Sequence, residues 1–167
     1  MKIRRIVAGF QASATGRGTI EALARRAAQM EAELLGLFIE DIELLRLATL
    51  PFASEIGYPS AARRGLAVED MERALRAQAE HMRRAFAAAF ENLATPWSFR
   101  VARGTLAEQL LAAVAEAPVP TLVLPPGADP DDEPQTVPLA GLTAARLAEL
   151  LRGARPVLIL PPNHAPV

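Results

Sequence analysis

The stretch RIVAGFQASATGRGTIEALARRAAQMEAELLGLFIED, residues 5–41, decides the fold. It contains two short apolar runs, one within residues 3–10 and one over residues 34–39. Between them, residues 19–32 place small and apolar side chains at helical spacing, with charged side chains on the other side. The apolar stripe consists of Ile20, Leu23, Ala24, Ala27 and Ala28. Strand, amphipathic helix and strand in this order predict a sheet covered by a helix.

The same alternation continues to the end of the chain. Three further apolar runs lie at residues 97–101, 121–124 and 156–160. Thr105 followed by Glu108 is a capping box and predicts the start of a helix. Thr143 is suited to cap a last helix, and Gly153 to end it. Five runs alternating with helical segments predict an α/β protein with a parallel sheet.

A long insert separates the second and third runs. It covers about residues 41–94, far more than the few residues that usually join two elements. From residue 68 to 93, apolar residues repeat every seven and Glu–Arg pairs follow at four-residue spacing, which predicts one long amphipathic helix. The apolar segment before it, with Leu47, Leu50 and Phe52, is expected to be a lid or a surface for a protein partner.

Composition narrows the classes of partner. The chain has 167 residues, a formal net charge of −1 and no cysteine. Its Lys and Arg are scattered among acids, so we expect neither nucleic acid nor a membrane as partner. No apolar run approaches the roughly 20 residues of a membrane span, and arginines interrupt the N-terminal run, which favours a cytoplasmic protein. We expect one domain over residues 1–162 and a flexible tail over residues 163–167.

Several local phrases together resemble the universal stress protein family. They are RIVAGFQAS (5–13), AELLGLFIED (32–41), FRVARGTLAEQLLAAVAE (99–116), TLVLPPG (121–127) and GLTAARLAELLRGARPVLIL (141–160). The resemblance covers most of the chain and implies a Rossmann-like three-layer α/β/α sandwich. It further implies a five-stranded parallel sheet in the order 3-2-1-4-5. A homodimer joined along the last strand is implied as well, with Val157 and Ile159 as interface candidates.

The resemblance also implies where ATP would bind, and this sequence departs from each feature. Gln11 stands where the family has an Asp that meets the base, with Ser13 at the family's serine position. Of the Gly-x-x-Gly phosphate turn only Gly127 remains, and the later Gly-Ser/Thr helix start survives as Gly141 and Thr143. We therefore expect no cofactor. The alternative is ATP with magnesium bound by these five residues.

The loop PPGADPDDEP, residues 125–134, adds to the argument against ATP. Its prolines lack the backbone N–H groups that a phosphate turn uses. Its four acids would repel a triphosphate by about 1 kcal/mol per charge pair even when well solvated. Magnesium would reverse this repulsion, but the spacing matches no ordered calcium loop, and we expect no metal site.

A glycine-rich turn after the first run is the best candidate for a small anion. Thr15, Gly16, Arg17 and Gly18, with Thr19, offer amides, hydroxyls and one cation where doubly wound folds often bind anions. The dinucleotide fingerprint is incomplete. The simpler interpretation is a turn that needs glycine for its backbone.

Catalytic residues are not indicated. His81 lies within the long helical pattern, His164 lies in the tail, and no second ligand stands at metal-binding spacing. Ser13 is outside a nucleophile elbow and lacks a histidine partner. Glu40 and Asp41 either face the ligand crevice at the end of a strand or stabilise a following helix through its dipole, and the dipole is favoured.

Two functions stay open from the sequence. The first is a non-catalytic universal stress protein-like regulatory module in stress response, which does not bind ATP and acts through homodimerisation and partner contacts. The second is an adenine-nucleotide binding protein, at most a weak ATPase, with a variant site. A small-ligand pocket capped by the insert is a third, weaker possibility.

Overall fold

The computed structural model describes residues 2–12, 17–41 and 61–162, the side chains of 17, 18, 41 and 61–68 excepted. Six strands and four helices lie in these ranges. The strands are β1 Arg5–Phe10, β2 Glu33–Asp41, β3 Trp97–Gly104, β4 Thr121–Leu124, β5 Gln135–Pro138 and β6 Val157–Leu160. The helices are α1 Arg17–Met30, α2 Ala61–Phe90, α3 Leu106–Ala115 and α4 Ala144–Leu151.

The described strands form one mixed sheet in the order β3-β2-β1-β4-β6-β5. β1 lies between β2 and β4 and pairs parallel with both, and β3 adds parallel to β2. β6 runs antiparallel to β4, and β5 pairs parallel with β6 at the outer edge. The carboxyl ends of β1 to β4 therefore share one end of the sheet, which we call the carboxyl end, and their starts share the amino end.

The expected α/β fold is confirmed, but the expectation of five parallel strands in the order 3-2-1-4-5 was wrong in its last part. The extra strand, β5, has only four residues, most of them exposed, and ends in Pro138, so its sequence carried no strand signal. The ten-residue connection from β4 is too short to cross back to the amino end. β5 must therefore start at the carboxyl end and run back, and β6, returned there by α4, runs antiparallel to β4.

Two apolar layers hold the helices on the sheet, one on each face. α1 and α2 cover one face, where Phe86 packs against Phe10, Phe90, Trp97 and Phe99. α3 and α4 cover the other face, together with side chains of β1, β2, β4 and β6. This is the expected three-layer sandwich.

The helices begin largely as their sequences predict, but the left-handed residue after α4 is Ala154, with a φ of +51°, and not Gly153. The Thr105 hydroxyl accepts from Glu108 N–H at 3.3 Å, and the Thr143 hydroxyl accepts from Arg146 N–H at 3.1 Å. The long helix predicted within the insert is α2, whose buried side chains recur every three or four residues: Leu75, Ala79, Met82, Phe86 and Phe90. Within the described part of the chain, no helix is long and apolar enough to span a membrane.

Candidate functional site

A cleft opens at the carboxyl end between β1 and β4. This is the point where the chain order along the sheet reverses, since β2 lies on one side of β1 and β4 on the other, and open α/β sheets bind ligands there. The cleft has a volume of about 270 Å³, and the described residues that line it carry no formal charge. They are Ala8, Gly9, Phe10, Thr19, Leu23, Leu124, Pro125, Pro126, Gly127 and Ala128.

One wall of the cleft is a tight turn directly after β4. Ala128 N–H donates to Pro125 C=O at 3.1 Å, and Gly127 has a φ of +83°. With Pro126 second and a left-handed glycine third, this is the pattern of a type II turn. Gly127 is therefore explained by the turn itself, because a side chain there would strain the backbone.

Three of the six backbone amides in residues 125–134 donate within the loop itself. Besides Ala128, Asp131 N–H donates to Asp129 Oδ1 at 2.9 Å and Asp132 N–H to Asp129 C=O at 3.1 Å. The four prolines in residues 125–134 have no N–H. At most three amides of the ten residues, those of Gly127, Asp129 and Glu133, thus remain to meet an anion.

The acidic loop, residues 125–134, also forms an ion pair with the neighbouring helix α1. Asp131 Oδ1 lies 3.7 Å from Arg26 Nε of α1, an ion pair with Asp131 largely exposed. Asp129, Asp131, Asp132 and Glu133 are all exposed. The negative charges therefore stand in solvent beside the cleft, where they oppose an incoming anion.

The structure separates the residues that the sequence grouped into a nucleotide site. Gln11 is half-buried just after β1 and Gly127 follows β4, so both lie at the carboxyl end. Gly141 and Thr143 follow β5, whose last residue pairs with Leu160 at the amino end. Ser13 lies outside the described residues.

Gly141 has its own local role at the amino end. Leu142 N–H donates to Leu139 C=O at 3.0 Å and Gly141 has a φ of +75°, so it occupies the same place in a four-residue turn as Gly127 does. Thr143 caps α4. The two glycines of the expected phosphate motif thus serve two separate turns.

The glycine-rich turn is only partly described. Thr15 and Gly16 lie outside the described residues, and Arg17 and Gly18 are the first two residues of α1. Thr19 follows them and lines the cleft. A contact that the sequence did not predict holds the segment after β1, where Gln78 Nε2 of α2 donates to Ala12 C=O at 3.1 Å.

A second charged cluster lies at the carboxyl ends of β2 and β3. Arg103 donates to Glu40 Oε2 from Nε at 3.3 Å and from a terminal nitrogen at 3.1 Å, and Glu72 of α2 lies 3.8 Å away. Glu40 is buried, and its carboxylate is paired with a cation rather than with another acid. Arg103 is the residue that sequence reasoning missed here, although the parallel register places it beside Glu40.

The chain was compared with known proteins. A comparison with family models finds no match, and a comparison with curated protein sequences finds none either. A solved universal stress protein family member from Burkholderia pseudomallei is 18% identical, with a TM-score of 0.51, over 96% of this chain and 97% of that chain. Universal stress protein UspA from Lactobacillus plantarum is 10% identical, with a TM-score of 0.54, over the same shares. The chain has a universal stress protein-like fold.

The last strand of this universal stress protein-like fold is not at the edge of the sheet. β6 lies between β4 and β5, and Val157 and Ile159 are buried with 0% and 1% exposure. The expectation that these two residues form a dimer contact was therefore wrong, because β5 covers the free side of β6. The other interface candidates, Leu47, Leu50 and Phe52, lie outside the described residues.

At the amino end, a network of ion pairs joins the sheet to α3. The buried Arg5 side chain donates to Ala113 C=O in the last turn of α3 and lies 3.3 Å from Glu33 and 3.4 Å from Glu116. Arg100 of β3 donates twice to Glu116, at 2.8 and 2.7 Å. The hydrogen bonds from Arg100 lower the pKa of the Glu116 carboxyl, and the bonded carboxylate raises the pKa of Arg100.

This network explains the local stability of the universal stress protein-like fold rather than a reaction. Arg5 donates to a carbonyl at a helix C-terminus that also accepts from Glu116 N–H, and a cation is favourable there. Elsewhere, His81 is exposed on α2. Across the described residues, no group of three His, Cys, Asp or Glu side chains is placed to hold a metal ion.

Proposed function

We propose that the chain is a non-catalytic universal stress protein-like module that does not bind ATP and acts by association, as a homodimer and through contacts with a protein partner in a regulatory or stress role. The observation that carries the proposal is the turn after β4. A triphosphate needs several converging amides and positive potential. Residues 125–134 offer at most three amides and four exposed acids.

The position of Gly141 and Thr143 supports the same proposal. A nucleotide held in the cleft at the carboxyl end could not contact these two residues, because they follow β5, which ends at the amino end of the sheet. The Thr143 hydroxyl already accepts from Arg146 N–H. The helix start expected to add positive potential therefore belongs to the wrong end of the sheet.

A non-catalytic role is supported by the lining of the cleft. Among its described residues only Thr19 bears a side-chain hydroxyl, and none bears a carboxylate, imidazole or amine. General acid–base chemistry needs such a group within hydrogen-bond reach of the substrate. We accordingly propose a binding or interaction role in the cytoplasm.

ATP binding in a variant site is the second candidate, and one observation favours it. The cleft lies at the reversal point of the sheet and is open, at about 270 Å³, close to the lower end of the range of about 300–1,000 Å³ that ligand pockets span. An adenine ring is uncharged and would not meet the repulsion that its phosphates meet.

Thermal unfolding with ATP, adenosine and magnesium separates the two candidates. The proposal predicts no rise in the midpoint with ATP up to about 5 mM, because a ligand stabilises only by binding the folded state. A dose-dependent rise with ATP below about 1 mM would instead favour the variant nucleotide site. Adenosine is the matched control, since it retains the base and sugar and lacks the phosphates.

Light scattering at high protein concentration tests the association. The proposed homodimer predicts a mass of twice 17.9 kDa. A strictly monomeric mass would remove homodimerisation from the proposal and leave only partner contacts.

A further inference from the structure

The outer edge of β3 is an open template for another strand. Leu34 N–H of β2 donates to Pro96 C=O at 3.0 Å, and the register runs from Leu34 opposite Trp97 to Asp41 opposite Gly104. Parallel neighbours bond to alternate residues, so every second residue of β3 turns its N–H and C=O away from β2. These residues are Trp97, Phe99, Val101 and Arg103.

The opposite edge is much poorer in such groups. Gln135 N–H donates to Pro156 C=O and Leu139 N–H to Leu160 C=O, so residues 135, 137 and 139 bond to β6. Of the four residues of β5, Thr136 and Pro138 face outward, and Pro138 has no N–H. A short strand with a proline is how edges are commonly protected from pairing, whereas β3 has eight residues and no proline.

The described helices leave the β3 edge uncovered. A Cβ on Gly36 of β2 would meet the Phe86 ring at 2.7 Å, which places α2 over β2. A Cβ on Gly9 of β1 would meet Leu106 at 3.1 Å, which places α3 over β1. Val101, on β3, is 42% exposed, one of two large apolar side chains exposed among the described residues.

We propose that a second copy of this chain pairs antiparallel along this edge, β3 to β3, with the two-fold axis at Phe99. The inference rests on the homodimerisation in the proposed function and names its surface. In this register Phe99 lies opposite Phe99 of the second copy, and Val101 lies opposite Trp97. Aromatic and β-branched pairs of this kind stabilise antiparallel strands, and the surface is complementary to itself.

Neighbouring registers are less favourable for reasons of charge and hydrogen bonding. An axis at Arg100 places two arginines directly opposite each other. An axis at Val101 needs Arg103 C=O as acceptor, which already accepts from Gln109 Nε2 at 3.3 Å. An axis at Ser98 sets Val101 against Thr95, which lies before the strand begins. The axis at Phe99 pairs all three open residues from Trp97 to Val101.

The helices have room in this arrangement. Two α2 helices over the two β2 strands stand three strand spacings apart, about 14 Å, more than the roughly 8–10 Å of packed helices. Arg83, whose guanidinium lies 5.3 Å from the Phe99 ring centre, extends toward this gap with Glu80 at 3.7 Å. Each cation near the axis thus brings its own counter-charge.

Disulfide trapping tests the register directly, because the chain has no cysteine of its own. Ser98 and Arg100 are exposed and face each other across the proposed axis as a non-hydrogen-bonded pair, in which side chains are close. A mixture of Ser98→Cys and Arg100→Cys chains is expected to form several-fold more linked dimer under mild oxidation than either variant alone. Equal linking by Ser98→Cys alone or Arg100→Cys alone would overturn the register.

A charge at the edge gives a second test that does not depend on linking. Val101→Arg is expected to raise the dimer Kd roughly tenfold or more, because a charged side chain in the middle of an edge strand opposes its pairing with another strand. Thr136→Arg on the β5 edge is the matched control and should leave the Kd unchanged, with circular dichroism checking that both variants fold. A dimer that survives Val101→Arg and dissociates with Thr136→Arg would overturn the β3 surface while keeping homodimerisation. A monomeric parent chain in light scattering would overturn both.

Discussion

The two ends of the sheet differ in how they use charge. At the amino end, Arg5, Glu33, Glu116 and Arg100 lie within 3.4 Å of one another in pairs, and a helix carbonyl completes the set. At the carboxyl end, Arg103 and Glu40 pair at β3 and β2, but the described lining of the cleft has no charge and the acids of the following loop face solvent. The end where α/β proteins bind ligands is therefore the one whose cleft has no cation in its described lining.

This difference assigns the ion pairs of the amino end to the structure of the fold and leaves the cleft of the carboxyl end as the candidate for function. Charges whose partners all lie within the chain leave nothing for a ligand, and removing one of them leaves its partner uncompensated. The two glycine turns also have a structural explanation. Gly127 and Gly141 have nearly the same conformation, with φ of +83° and +75°, at opposite ends of the sheet. Each glycine is accounted for by its own turn.

The largest expected effect comes from breaking the amino-end network at its centre. Arg5→Met keeps much of the length of the side chain but removes the buried cation shared by Glu33 and Glu116 and one of the two donors to the Ala113 carbonyl. We expect a loss of about 2–4 kcal/mol in the free energy of unfolding, measured by urea denaturation. Arg4→Met, at the exposed neighbouring residue, is the control and should stay within about 0.5 kcal/mol of the parent. Equal effects of the two variants would show that the network does not stabilise the fold.

The two glycine turns offer a smaller and more even comparison. Gly127→Ala and Gly141→Ala are each expected to cost about 1–2 kcal/mol, because alanine is strained at positive φ. Neither added methyl group meets an atom within 4 Å, so the cost comes from the backbone alone. Gly153→Ala, where φ is not positive and the nearest atom is 3.8 Å away, is the matched control and should be neutral or slightly stabilising. Chemical denaturation of the three variants decides this, and a neutral Gly127→Ala would contradict the turn.

Glu116 should make the amino end sensitive to acid. Its pKa is lowered in the folded state, so the stabilisation is present above the unfolded value of about 4.3 and is lost as pH falls through the lower folded value. The carboxylate is about half exposed, and we expect less than about 1 kcal/mol. Glu116→Gln should be less stable than the parent at pH 7, and the difference should shrink in acid. A difference that stays constant from pH 7 to about pH 3 would contradict this assignment.

Neutralising the four acids of the loop is expected to have the smallest effect of all, because it should not create ATP binding. A chain with Asp129→Asn, Asp131→Asn, Asp132→Asn and Glu133→Gln removes the repulsion but adds no backbone amide. The side-chain amide oxygen introduced by Asp129→Asn can still accept the hydrogen bond from the backbone N–H of residue 131. We expect no measurable ATP binding by this variant in equilibrium dialysis. Tight binding by it would show that charge alone, and not the missing amides, excludes the phosphates.

The sequence predicted β1 to β4, β6 and all four helices of the described chain because each carries a strong local pattern. The Thr105 and Thr143 caps and the buried stripe of α2 are of this kind. β5 escaped prediction because four mostly exposed residues ending in proline have no strand pattern. Because β5 was not predicted, the predicted direction of β6 was wrong, and Gly141 was expected at the wrong end of the sheet. Strand direction here depends on the length of a connection, which motif spacing along the chain does not reveal.

The sequence predicted the chemical character of the candidate site but not which residues contact one another there. The lack of glycines and the excess of acids after β4 were visible in the sequence. The structure adds that three of the remaining backbone amides donate within the loop and are not free for a phosphate. The pairing of Glu40 with Arg103 was not visible, since the two residues are 63 positions apart and meet only through the register of β2 and β3.

Calorimetric titration of the parent chain with ATP and magnesium measures directly whether the loop after β4 excludes a triphosphate. We expect no saturable heat up to about 5 mM ATP, because this loop lacks the amides and positive potential that a triphosphate requires. A saturable heat with a Kd below about 1 mM, absent with adenosine, would contradict it and place the phosphates at the carboxyl end.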